Sequence, residues 1–316
     1  MIRFASILLI VIFLIAPASA QEEKHFNQNY PAKESVSIKL SSSDCVIESV
    51  SGDRIEVDVR YAVYPADAFK PEIYETGSSL KISEDWRGHS SGKVFWTIKL
   101  PPETEVYFSC ASGDLNISGL QKEVEAKAAS GDIRAEDLSG KIEVKTASGD
   151  IRLRDISGDI EISAASGDIN ADGIAGEVEL SAASGDIELK NSKGIFDIST
   201  ASGDIEATGL TIDGYSNFSA ASGDVDIRLA KSTDYDLELS AASGDVALDY
   251  NGQPLKGYFE LQARKYSGGI SAPYAFDNEE EFERNGQTYE RKSFRRESDT
   301  PRILLHTSSG RVSLKK

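Results

Sequence analysis

The sequence predicts an all-β chain: a single-stranded parallel β-solenoid (β-helix) of ~18-residue, two-strand coils closed by irregular β caps. Three observations predict it. Ser-Gly-Asp recurs with its Ser at 112, 130, 148, 166, 184, 202, 222 and 243, at spacings of 18, 18, 18, 18, 18, 20 and 21. Within each period, apolar and charged residues alternate with period two, the mark of a strand with one buried face, and helical periodicity is absent. Two short strands cannot bury a core alone, whereas stacked copies of them can.

Residues 1–20, MIRFASILLIVIFLIAPASA, read as a secretory signal peptide. Arg3 gives a positive start, Phe4 to Ile15 is apolar, and Ala18-Ser19-Ala20 is a cleavage site. The apolar run is too short to span a bilayer comfortably. No Cys follows it as an acylation site, and no later stretch reaches the length of a membrane span. The expected mature chain is therefore exported, periplasmic or extracellular or at the cell surface, with no membrane span after cleavage.

Residues 21–108 are expected to form an N-terminal β region and cap. Within them, 35–60 is strand-like and 61–108 is less regular, holding Trp86 and Trp96. Residues 109–249 are the regular array. In 130–147, Ile133, Ala135 and Leu138 form one inward set and Ile142, Val144 and Thr146 the next, with Arg134, Glu136, Lys141, Glu143 and Lys145 between them. Stacking predicts one interior ladder of Ile133, Ile151, Ile169, Ile187 and Ile205. A second comprises Val144, Ile162, Leu180, Ile198 and Phe218. Ala128, Thr146, Ala164, Ala182, Thr200 and Ala220 form a small-residue column where the two sheets converge. About eight coils at the strand spacing give a rod roughly 40 Å long.

Residues 250–316 break the period and are expected to supply C-terminal coils and a cap. They hold 12 Lys or Arg against 9 Asp or Glu, a local charge of +3 in a chain of −18. The closing HTSSGRVSLKK reads as a last strand of the same type. Irregular ends suit a solenoid, because open terminal ladders template aggregation.

Composition narrows the function. Forty per cent hydrophobic and 27% charged residues are ordinary for a folded chain. A net charge of −18 repels nucleic acid and anionic lipid. Two Cys and three His exclude a zinc-cluster protein and a small disulfide scaffold. The inward steps of 5, 4, 2 and 7 do not fit a hexapeptide β-helix. A calcium β-roll needs more glycines per turn than Ser-Gly-Asp provides.

The KLPPETEVYFSCASGDLNI segment, the repeated Ala-Ser-Gly-Asp-Ile units and the closing TSSGRVSL resemble a bacterial family of exported domains of unknown function that carry an adhesin label. The resemblance covers most of residues 35–316. It implies a β-solenoid at the cell envelope, sometimes linked to envelope stress responses, and no catalytic residues. The 20- and 21-residue coils and the charged stretch near 277–299 depart from the pattern.

The chemistry-bearing candidates are few. Asp114, Asp132, Asp150, Asp168, Asp186, Asp204, Asp224 and Asp245 form a column along one edge of the array. Each carboxylate is expected to accept backbone N–H bonds at its own corner. The functional alternative is an acidic edge for divalent cations or a basic partner. No His lies in the repeats to activate the Ser column. Thr at 146 and 200 alone is too sparse for an ice-binding ladder. His25, His89 and His306 share no metal-ligand spacing. Asp155 with Asp159, or Arg152 with Arg154, are the pairs a carbohydrate-active β-helix enzyme would use, and a solvated strand face explains them equally. Cys45 and Cys110 are a candidate disulfide between the N-terminal region and the first regular coil. No metal and no cofactor are expected. The reading is a non-enzymatic adhesion or envelope-scaffold module whose partner is an envelope or extracellular protein or a glycan. A carbohydrate-active enzyme and a cation-dependent or stress-linked regulator are the alternatives.

Overall fold

Alternation along the strands and a Gly-punctuated corner in every period build two long parallel ladders. The computed structural model describes residues 23–316 apart from Ser267. The leader expected at residues 1–20 lies outside the described residues. Among these residues every regular element is a strand, and no helix is long and apolar enough to cross a membrane.

Rungs stack in register. Ile133 pairs with Ile151, Ile151 with Ile169, Ile169 with Ile187 and Ile187 with Ile205. On the other ladder Val144 pairs with Ile162, Ile162 with Leu180, Leu180 with Ile198 and Ile198 with Phe218. All of these are buried, as is the small column from Ala128 to Ala220. The two-strand division is not uniform. Ile133–Ser148 and Ile151–Ser166 run as single 16-residue strands through both ladders. They bend where Asp137 and Asp155 take left-handed φ values of 52° and 53°.

The ends are built differently from a simple continuation. Ser35–Leu40 lies between Ser79–Trp86 and Glu105–Ser112, parallel to both. Asp44–Ser49 lies between Ser91–Leu100 and Leu115–Ser118. The N-terminal segment is therefore a rung of the array, and residues 50–104 are an excursion folded beneath it. The C-terminal segment repeats the device. Arg302–Thr307 lies between Leu237–Ser243 and Gly257–Arg264, and Val312–Lys315 between Val246–Asp249 and Ile270–Ser271. Antiparallel strands cover the outermost rungs. They are Phe69–Thr76, Arg54–Tyr64 and Lys24–Pro31 at one end, and Gln287–Arg296 and Asn278–Arg284 at the other.

The caps extend the core of the array at both ends. At the N-terminal end Glu84 accepts from Trp96 Nε1 at 2.8 Å, Trp86 Nε1 at 3.1 Å, the Ser41 N–H at 2.7 Å and the Ser43 hydroxyl. At the C-terminal end the Phe259 and Phe294 rings stack with centroids 4.9 Å apart. Both caps also leave aromatics in solvent, namely Tyr64, Tyr74 and Phe95 at one and Tyr266 at the other.

Candidate functional site

The Asp column is continuous, and its bonding differs from the turn cap expected within each corner. Each Asp N–H donates to Oδ1 of the Asp one rung earlier. Asp132 reaches Asp114 at 2.9 Å, Asp150 reaches Asp132 at 3.0 Å, Asp168 reaches Asp150 at 3.1 Å and Asp186 reaches Asp168 at 3.0 Å. Asp204, Asp224 and Asp245 continue it at 2.8, 2.8 and 2.7 Å. Asp44 begins the series beneath Asp114 and the Arg311 N–H ends it on Asp245. The corner glycine makes this spacing possible. A Cβ on Gly167 would lie 2.0 Å from the Gly149 carbonyl oxygen, at a φ of 144°.

Charge compensation along the column is uneven. Arg152 bridges Asp132 and Asp150 at 3.2 and 2.9 Å, and Arg134 joins Asp132 at 3.1 Å. Asp132 is accordingly held below the usual carboxylate range, first by the Asp150 N–H and then by these guanidinium groups. Arg311 does the same for Asp245. Between them, Asp168, Asp186, Asp204 and Asp224 have no ion-pair partner among the described residues. Asp204, Glu206, Asp224 and Asp226 line a furrow of about 740 Å³ together with Arg311 and Lys315. No group of three or more His, Cys, Asp or Glu among the described residues is placed to hold a metal ion.

The other candidates scatter. Arg154 pairs with Glu136 rather than turning toward Arg152's partners. Asp155 sits at a bend, and Asp159 is outward on the neighbouring column. His25 pairs with Asp58 at one end of the molecule, and His306 stacks between Ser240 and Gln262 at the other. Cys45 and Cys110 are both buried and both free thiols, so the bond considered from the sequence is not formed in the structure. They occupy neighbouring rungs at one corner. Cys45 pairs with Leu115, Cys110 with Leu40, and the Cys110 thiol donates to the Ser43 carbonyl at 3.8 Å. Burial pushes the Cys45 thiol well above its ordinary value.

Two features carry no sequence label of their own kind. The Ser and Ala columns from Ser163 to Ala242 form a flat outward trough of about 740 Å³, ended by Gln262, Arg284 and His306. Glu84, which ties both Trp side chains to the first rung, is one acid among many in the sequence. The period slips at 202–222 and 222–243 were the available signal for the exposed Tyr215 and Tyr235.

The stacked rungs and their repeated corner define an all-β repeat domain. The model of the Toastrack DUF4097 family matches residues 34–256, and the chain belongs to that family. A search of curated proteins finds no match. Among solved structures, a putative cell adhesion protein from Clostridium sporogenes is 11% identical, with 93% of this chain and 99% of that chain covered and a TM-score of 0.28. A putative lipid binding protein from Parabacteroides distasonis is 13% identical, covering 92% and 96%, with a TM-score of 0.40. A putative adhesin from Bacteroides fragilis is 13% identical, covering 93% and 98%, with a TM-score of 0.37. These likenesses are too distant to carry a function across.

Proposed function

We propose that the chain is an exported, non-catalytic adhesion or envelope-scaffold module whose rungs form a β-solenoid. The observation that carries this is the unbroken hydrogen-bonded series from Asp44 to Arg311. It locks rung to rung outside the strands as well as within them. A rod bonded in this way keeps its outward columns at fixed spacing, about 4.8 Å per rung, and suits repeated or extended partners better than a single small substrate. The irregular ends hold most of the aromatic side chains and are the natural place for further specificity.

Sedimentation of the labelled full chain with washed bacterial envelopes tests the reading. Saturable retention is expected, and retention that rises linearly without saturating would sink it. Thermal unfolding in EDTA and then in millimolar calcium tests the cation alternative. A ligand of the folded state at a hundredfold excess over Kd adds about 2.7 kcal/mol. An unchanged Tm leaves the Asp column as a structural ladder.

A further inference from the structure

The Asp column uses one oxygen of each carboxylate and leaves the other free. Oδ1 accepts the N–H of the next rung, from Asp114 through to Asp245, so Oδ2 is left for a second partner. Toward either end the chain fills that position with its own guanidinium groups. Arg152 spans Oδ2 of Asp132 and Oδ2 of Asp150 at 3.2 and 2.9 Å, and Arg134 joins Asp132 Oδ2 at 3.1 Å. Arg311 Nε and Nη2 take Asp245 Oδ2 at 2.9 and 2.7 Å. Asp168, Asp186, Asp204 and Asp224 repeat the same backbone arrangement. They are exposed and have no ion-pair partner among the described residues.

The neighbouring outward column explains why these four are unfilled. Arg134 pairs with Arg152, Arg152 with Asn170, Asn170 with Glu188, Glu188 with Glu206 and Glu206 with Asp226. The position that supplies cations to Asp132 and Asp150 thus sets further carboxylates beside Asp186, Asp204 and Asp224. Across those three rungs Lys190, on Glu188, is the only cation paired with either column among the described residues. The furrow lined by Asp204, Glu206, Asp224 and Asp226 shares Asp204 and Glu206 with a second one of about 240 Å³, which reaches Asp186 and Asp168. Neither has an aromatic residue in its lining.

We propose that this unpartnered sheet face docks an extended arginine-rich segment of a partner polypeptide, whose guanidinium groups bridge the Oδ2 atoms of successive rungs as Arg152 does. Arg152 and Arg311 display the fit within the molecule, at sites that the repeat makes equivalent, and a planar fork suits paired acceptors. Residues 168–228 carry 3 Lys or Arg against 12 Asp or Glu, a charge of −9 that repels anionic partners. An uncharged saccharide would leave these carboxylates uncompensated and finds no ring to stack on in either furrow. A metal ion needs several ligands at one point, and no group of three or more is so placed among the described residues. A carboxylate every ~4.8 Å along the rod calls for cations repeated along the partner rather than one compact cation.

The proposal rests on the binding-module reading and deepens it, so the test has two arms. In the first, fluorescein-labelled octa-arginine is titrated with the full chain and read by anisotropy at about 150 mM salt. Binding is expected. Glu206→Gln combined with Asp226→Asn removes two charges from the face without touching the N–H series, and should weaken binding about tenfold or more. Glu177→Gln combined with Glu179→Gln removes two exposed charges from the other ladder, and should change it by less than about twofold. Tm is expected to be unchanged in both. No binding, or equal weakening by the two pairs, overturns the site. In the second arm the chain is sedimented with envelopes. Saturable retention that the Glu206→Gln, Asp226→Asn chain keeps, and that excess octa-arginine does not reduce, leaves the module reading intact and overturns this face as the partner site. Loss of retention in both supports it.

Discussion

Arg311 stands one rung beyond Asp245 and donates to it three times. Its N–H reaches Oδ1 at 2.8 Å, and Nε and Nη2 reach Oδ2 at 2.9 and 2.7 Å. Ser309-Gly310-Arg311 repeats the corner motif with a cation in the place of the acid. One residue therefore continues the backbone series and neutralises its last carboxylate.

That substitution of sign matters most where salt is low. Arg311→Asp keeps the N–H but adds a carboxylate to a row whose neighbours Asp204 and Asp224 are already unpaired. A lower Tm is expected at about 10 mM salt, with part of the loss recovered at about 150 mM, where the Debye length has shortened to about 8 Å. Equal losses at both salt concentrations would mean that charge is not the cause.

Acid should weaken the column at its compensated end. The Asp132 carboxyl is held below its ordinary value of 3.8, first by the Asp150 N–H. A group favoured in its ionised form by folding contributes stability above the unfolded pKa. That contribution is lost as pH falls through the folded value. The urea midpoint of the wild type should fall as the pH drops below the ordinary value of 3.8. Asp132→Asn keeps an oxygen acceptor but cannot ionise, so its curve should be flatter there. Parallel curves would remove Asp132 from the explanation.

Packing at the corner tolerates no side chain. Gly167→Ala places a methyl 2.0 Å from the Gly149 oxygen in a left-handed backbone. The expected cost is about 3 kcal/mol or more, read as a shift in the chemical denaturation midpoint. A loss below about 1 kcal/mol would show that the rungs can move apart there.

Removing residues 302–316 should prevent folding rather than trim an end. Ile303 and Leu305 are buried between two other rungs, and Val312 and Leu314 are buried on the rung of Val246 and Leu248. Each buried aliphatic side chain contributes about 1.5–3 kcal/mol, so the four together match the whole stability of a typical domain. Aggregation or loss of the β-type circular dichroism is expected. A monomeric, cooperatively melting truncated chain would contradict the intercalated topology.

Thiol labelling decides the state of the cysteines. Burial raises both thiols, so iodoacetamide should leave Cys45 and Cys110 unmodified in the native chain and alkylate both in denaturant without reductant. Failure to label in denaturant until reductant is added would reveal a disulfide between them. Such a staple closes a long loop and is worth roughly 4 kcal/mol on the chain-entropy model.

Much of the array was legible because it is local and repeated. Ile133, Ile151 and Ile169 announce both their inward face and their mutual register, since a slip of one residue would turn every apolar side chain outward. The acids were visible as a column, but the direction of their bonds was not. A carboxylate two residues after Ser has N–H groups within reach both in its own corner and one rung away. Only the close approach of the corner glycines brings the Asp186 N–H to Asp168. Tyr215 and Tyr235 were hidden for a related reason. The period lengthens in the sequence, but nothing there says which connection of the coil takes the extra residues.

By itself the sequence determined the period, the alternation, the buried ladders and the acidic edge, all consequences of side-chain chemistry within one repeat. The tertiary structure decided the order of the rungs at both ends. Ser35–Leu40 sits between Ser79–Trp86 and Glu105–Ser112, and Arg302–Thr307 between Leu237–Ser243 and Gly257–Arg264. Every open ladder edge offers the same backbone donors and acceptors, and an apolar strand of this period fits any of them. Only burial of the whole end, caps included, selects one arrangement.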